Sequence, residues 1–154
     1  MTVTTDRSEE IMPAILRHLM ADSNVTALLG TSPCKIFPGD VPPKISGNEI
    51  KPPWVNLERG AWEEEMAFSG GIGTFKCPIN VVVIADTIKN AGIIYATLRL
   101  ILNAKRSATW GSTLWVGESS MSLGQQVPLL EADGSPSQWQ QLVGELFVMC
   151  CLVP

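Results

Sequence analysis

Hydrophobic and polar positions alternate most regularly between Gly73 and Arg106. Phe75, Cys77, Ile79, Val81 and Val83 recur at every second position, with Lys76, Pro78 and Asn80 opposite, which predicts a long strand. The period then changes. Ile88, Ala91, Ile94, Tyr95, Leu98, Ile101 and Leu102 form one apolar stripe at helical spacing. Asp86 stands where an N-cap belongs, and Lys105-Arg106 bring favourable charge to the C-terminal end. Upstream, the pattern predicts a helix from about Glu9 to Ala21, with Ile11, Ile15 and Leu19 as its buried face and Pro13 limiting its start. A short helix, Val25 to Leu29, follows, capped by Ser23 or Asn24 and ended by Gly30 as a left-handed residue. Cys34 to Phe37 and Trp54 to Arg59 read as strands. Downstream, Thr113 to Met121 and Val127 to Leu130 read as one or two strands interrupted at Gly124. The last strand, Trp139 to Val153, is apolar on both faces towards its end. Leu142, Leu146, Val148, Cys150 and Leu152 lie on one face, and Val143, Phe147, Met149, Cys151 and Val153 on the other. Such a strand needs cover on both sides, from helices or from a neighbouring subunit.

These elements predict an α+β fold: a mostly antiparallel sheet of four to five strands with two helices packed on one face. Residues 8–154 form a single domain, preceded by a flexible tail over residues 1–7. Residues 38–53 carry Pro38, Pro42, Pro43, Pro52 and Pro53 and read as a long extended loop, either solvated or serving an interaction. Ala61 to Gly71 reads as the tip of a hairpin leading into the central strand. Within it, Glu63-Glu64-Glu65 is the one concentration of charge, suited to a solvated loop or to an electrostatic contact. Adjacent carboxylates on one loop do not naturally flank a substrate, so a catalytic pair is not read there.

Composition sharpens this picture. In 154 residues, 45% are hydrophobic and only 17% charged, enough apolar material for one core and few charges for an uncovered surface, which favours a homo-oligomer. The formal net charge of −4 and the lack of a Lys/Arg run exclude a phosphate-binding patch for specific nucleic-acid recognition. No apolar run approaches the roughly 20 residues that span a bilayer, and MTVTTDRSEE lacks the apolar core of a signal peptide, so a cytoplasm-like compartment and no membrane are expected. Cys34, Cys77, Cys150 and Cys151 lack C-x-x-C spacing and read as small buried hydrophobes; His18, the only histidine, reads as a surface or boundary residue. No metal or cofactor is expected. There is no G-x-G-x-x-G, no Walker loop and no G-x-S-x-G elbow, and Gly70-Gly71-Ile72-Gly73 enters a strand rather than a helix, so no enzymatic activity is expected.

Several segments, taken in order, resemble the tail completion or tail terminator proteins of long-tailed bacteriophages. ADSNVTALLG closes the first helical region, IFPGDVPP follows the first strand, and PPWVNLERG is similar to the family's proline-led second strand. TFKCPINVVVIADTIKNAGIIYATLRLIL is similar to its strand and following helix, and the alternating apolar closing strand also fits. The resemblance covers most of residues 11–153. The chain departs from the family in a longer loop at 38–53, with GNEIK inserted, and at Ala85-Asp86-Thr87.

The resemblance implies a small α+β protein without enzymatic activity. It implies a hexameric ring in the virion, seated on the last ring of the tail tube protein. There the ring stops tube growth and joins the tail to the head or its connector and neck proteins. Genomic DNA would pass through the lumen without specific binding. A connector or neck protein of the same assembly is the nearest alternative, and an unrelated binding domain or enzyme would require a pocket with converging polar groups. Candidate interaction residues are Pro38, Asp40, Pro42 and Pro43 in the long loop, Trp62 with Glu63, Glu64 and Glu65 before the central strand, and Phe147 and Met149 on the last strand. The three glutamates would line a channel that repels DNA or meet a basic patch on an adjoining ring.

Overall fold

Two long antiparallel strands form the middle of the sheet in the computed structural model, which describes residues 7–39, 44–45, 47–65 and 73–153. They are β6 (Thr74–Ala85) and β10 (Gln140–Leu152), paired from Gln140 opposite Ala85 to Cys150 opposite Phe75. Of the expected tail over residues 1–7, Arg7 instead opens a 3-10 turn and residues 1–6 lie outside the described residues, as do the loop residues Asp40, Pro42 and Pro43 and the hairpin tip over residues 66–72.

On one side of this pair, β4 (Trp54–Arg59) runs antiparallel to β6, and β1 (Ile36–Phe37) runs parallel to β4. On the other, β8 (Leu114–Met121) pairs with β10 and β7 (Arg106–Trp110) pairs with β8. Two short strands complete the sheet: β5 (Glu63–Glu65) on β6 and β9 (Gln125–Gln126) on β10. The result is a mixed sheet of eight strands, not four to five. A further ribbon, β2 (Lys44–Ile45) with β3 (Asn48–Glu49), gives part of the proline-rich stretch regular structure of its own. The expected strand at Val127 to Leu130 is replaced by β9 just before it and an isolated bridge from Leu130 to Pro136. Strands of two or three residues carry no readable period; they form because the edges of long strands offer unpaired backbone groups.

Three α-helices, not two, are found among the described residues: α1 (Ile11–Met20), α2 (Ser23–Leu29) and α3 (Ile88–Leu102). Arg7–Glu10 forms a 3-10 turn before α1, which leaves Pro13 in the first α-helical turn, where its missing N–H costs nothing. Both expected caps are displaced by one residue. Asp22, rather than Ser23 or Asn24, caps α2 by accepting from the Asn24 backbone N–H at 2.8 Å. Thr87, rather than Asp86, caps α3 by accepting from the Asn90 N–H at 3.1 Å, while Asp86 accepts from the Thr87 N–H and the Asn90 amide. Gly30 does have positive φ (88°), but with ψ 176° it is extended rather than left-handed helical. Helix α3 ends at Leu102 with Asn103 as its C-cap, and Arg106 opens β7 instead of closing the helix.

The helices cover one face of the sheet. Val55, Leu57, Cys77, Ile79, Val81, Val83, Leu146 and Val148 from the strands join Ile11, Ile15 and Leu19 of α1 and Ala91, Ile94, Tyr95, Leu98 and Leu102 of α3 in one buried cluster. Ile88, expected in the α3 stripe, is instead exposed, and Ile101 only packs against the cluster's margin. Tyr95 fixes the helix on the strands. A Cβ at Gly144 would overlap its hydroxyl, and one at Gly124 would lie 3.1 Å from its ring. The hydroxyl donates to the Ser122 carbonyl at 2.8 Å. Two glycines thus make a slot that only a bare backbone allows.

Candidate assembly surfaces

The face of the sheet turned away from the helices is built by the alternate residues of the same strands. Its rows follow from the register. Glu58 lies beside Asn80, and Asn80 beside Glu145. Pro78 lies beside Phe147, and Phe147 beside Ser120. Glu63, Lys76, Met149, Glu118 and Arg106 form a third row across five strands. Phe147 and Met149 are half-buried, whereas Leu146 and Val148, which alternate with them along the strand, are completely buried. Trp115, opposite Cys151, leaves 42% of its surface exposed. The last strand therefore has one covered apolar face and one whose apolar residues are only partly covered, among the described residues, by their neighbours in the sheet.

The three glutamates do not sit on a bare loop. They form β5, opposite Lys76, Phe75 and Thr74. Alternation turns Glu63 and Glu65 to the outer face with Lys76, whose ammonium meets Glu65 at 2.7 Å. That hydrogen bond, with the charge of Glu65 behind it, holds the Lys76 ammonium above its ordinary range. Sheet pairing thus brings Glu63, Glu65, Phe147 and Met149 onto one surface, which the sequence had placed in two separate groups.

Trp62 belongs elsewhere. Its indole N–H donates to the Pro78 carbonyl at 3.2 Å, and the Arg59 guanidinium stacks 3.9 Å from the ring centroid. Trp62 and Pro38 line one shallow pocket of about 460 Å³ with Met12, Leu57 and Arg59. Two further side-chain atoms on β4, Trp54 Nε1 and Asn56 Oδ1, are buried without a hydrogen-bond partner among the described residues.

A second surface lies on the opposite side of the molecule and was missed by the sequence reading. Helix α3 turns Ile93 and Leu100 away from the sheet, 45% and 78% exposed; Leu123, 72% exposed, stands at the margin, where it and Arg99 also border a hollow with Val143, Glu145 and Phe147 of the outer face. Leu100 stands between two open grooves. One, of about 840 Å³, is lined by His18, Leu28 and Trp110; the other, of about 600 Å³, by Tyr95, Asn103 and Leu123. His18 stacks on Trp110 with centroids 5.3 Å apart, and burial lowers its pKa against a smaller opposing pull from Asp22. The spacing of Ile93 and Leu100, seven residues apart and off the buried stripe, was the available signal.

All four cysteines are free thiols; Cys34, Cys77 and Cys150 are buried and Cys151 is partly so. The Cys150 thiol is pushed up by its hydrogen bond with Cys77 and by burial, so this thiol stays protonated in the core. Among the described residues no three His, Cys, Asp or Glu side chains converge as metal ligands, and no helix is long and apolar enough to cross a membrane.

No protein-family model matches this sequence, and no curated protein does. Among solved structures, the fold is similar to that of a chain in the virion of a native gene transfer agent (GTA) particle. The likeness has a TM-score of 0.60 and spans 92% of this chain and 94% of the other. At 15% identity it establishes a shared fold.

Proposed function

We propose that this chain is a structural virion protein that forms a ring at the head-proximal end of a bacteriophage tail tube, stops tube growth, and joins the tail to the head or its connector. The observation that carries the reading is the likeness of fold, over nearly the whole of both chains, to a virion chain of a gene transfer agent particle. The segments that resemble tail terminators point the same way. In this reading the protein acts through its surfaces and carries out no catalytic step. Its partners are further copies of itself, the tail tube protein and a connector protein, and DNA passes through the lumen without specific contacts.

The test is deletion of the gene from its particle, followed by electron microscopy. Loss of a terminator gives tails of uncontrolled length. Tails of normal length that fail to join heads would assign the chain to the neck instead, and intact particles would remove it from tail assembly altogether.

A further inference from the structure

The sheet covers the overhangs of its long strands from within the chain. β5 lies on Thr74, Phe75 and Lys76 of β6, which β4 does not reach, and β9 lies on Leu142 and Val143 of β10, which β8 does not reach. β1 lies along β4, and the Gly39 N–H donates to the Leu57 carbonyl at 3.1 Å. At the far end of β8, the Ser119 N–H donates to the Lys105 carbonyl at 2.9 Å and the Met121 N–H to Asn103 Oδ1 at 2.8 Å. β7 is different. It ends the sheet and, among the described residues, pairs only with β8. Its first half carries two devices that discourage further pairing: Arg106 is charged and exposed, and Ser107, at φ 50°, interrupts the register. Ala108, Thr109 and Trp110 pair regularly with Val116, Trp115 and Leu114 and carry neither device. Along such an edge every second residue turns its N–H and C=O away from the sheet.

The same edge borders the groove of about 840 Å³. Ala108, Thr109 and Trp110 line it from β7, and Leu28, Leu100 and Ile101 add apolar surface from α2 and α3. Asp22 and Lys105 line it too, with opposite charges, so the groove has no net charge with which to select an ionic partner.

We infer that the β7 edge and this groove form one docking site for an extended segment of a partner protein, which pairs its backbone with Ala108–Trp110 and sends apolar, β-branched side chains at alternate positions into the groove. Both features select the same occupant. An unpaired edge needs a row of backbone donors and acceptors, which an extended chain presents and a helix has already bonded internally. Strand alternation then turns every second side chain towards the helices, where the apolar lining lies. The β7 of a second copy does not fit: its inward residues, Ala108 and Trp110, are held against their own core, so the groove would stay unfilled. The inference goes beyond the ring reading and does not depend on it.

The test uses the full chain, NMR and three synthetic probes. The first is a peptide that alternates valine with threonine between terminal lysines. The second has the same sequence with every backbone nitrogen between the lysines methylated. The third is a helical leucine–lysine peptide. The first is expected to bind saturably with a Kd of about 1 mM or tighter, to shift the Ala108, Thr109 and Trp110 amides and the Leu28 and Ile101 methyls, and to slow exchange of the outward β7 amides. Methylation should weaken binding at least about tenfold, because the backbone pairing is lost. Leu100→Lys, at an exposed position on the groove, should weaken the first probe several-fold and leave the thermal midpoint unchanged. No saturable shift, shifts confined to other surfaces, equal binding of the methylated probe, or tighter binding of the helical one overturns the inference. Protection of the β7 amides in dimers of the chain alone would assign the edge to a second copy and overturn it as well.

Discussion

Leu146 and Phe147 are consecutive residues on one strand, yet they belong to surfaces of different kinds. Leu146 is fully buried under the helices and packs in the same cluster as Ile79 and Leu98. Phe147, turned the other way, lies half-buried between Pro78 and Ser120, with glutamates in the neighbouring rows. The contrast holds along both central strands. On the inner face, apolar residues are contiguous and Tyr95 occupies a slot cut by Gly124 and Gly144. On the outer face, Val82, Val143, Phe147 and Met149 are interleaved with Asn80, Glu145 and Lys76. A face made to hold the fold together is closed within the chain. The outer face mixes charge with apolar area, the composition of a surface that meets a partner and still tolerates water.

The sharpest way to break this distinction is to truncate the two neighbours separately. Leu146→Ala should lower stability by about 2–5 kcal/mol, because it opens a cavity that the surrounding core cannot close. Phe147→Ala should cost the isolated chain about 1 kcal/mol, the value of partial apolar burial. Urea unfolding with unchanged slopes gives both numbers. Equal losses would mean that the outer face is as much a part of the core as the inner one.

Much of the covered face could be read from the chain. Cys77, Ile79, Val81 and Val83 alternate over enough residues to identify β6, and Ala91, Ile94, Leu98 and Leu102 identify the buried side of α3. What escaped is set by tertiary pairing. Glu63-Glu64-Glu65 has poor strand propensity and becomes a strand only because β6 extends past β4 and offers its edge. Strand β7 begins within a few residues of the helix, after a turn at Ala104, and contains Ser107; these non-glycine residues have φ 56° and 50°, a geometry that no local pattern announces. The parallel pairing of β1 with β4 likewise depends on the path of the whole chain. Of the candidate surfaces, the outer face was half legible: Phe147 and Met149 came from alternation, but their union with Glu63 and Glu65 required the register. Asp40, Pro42 and Pro43 lie outside the described residues and remain expectations of the sequence.

A smaller effect should mark the helix side through pH. Burial against Trp110 lowers the pKa of His18 below its ordinary 6.5, so the folded chain binds this proton less readily than the unfolded chain does. The corresponding stability is present above pH 6.5 and falls as the pH drops from there through the folded-state pKa. The imidazole resonances should titrate with a midpoint below 6.5, and His18→Gln should remove this part of the acid sensitivity while leaving the rest. A midpoint at or above the ordinary value would mean that the stack does not desolvate the ring.

The smallest effect on folding should come from the outer face itself, and there the comparison becomes decisive. Replacing Glu63, Glu64 and Glu65 together with glutamine removes the Glu65–Lys76 ion pair, which joins two solvent-exposed groups and is screened by salt. The thermal midpoint of the isolated chain should be unchanged. If the proposed tail-ring role is right and these charges act between molecules, tail joining or DNA passage should be impaired. A shift in midpoint with infectivity intact would assign the glutamates to the fold. Unchanged infectivity with an unchanged midpoint would remove these three residues from both the fold and the assembly.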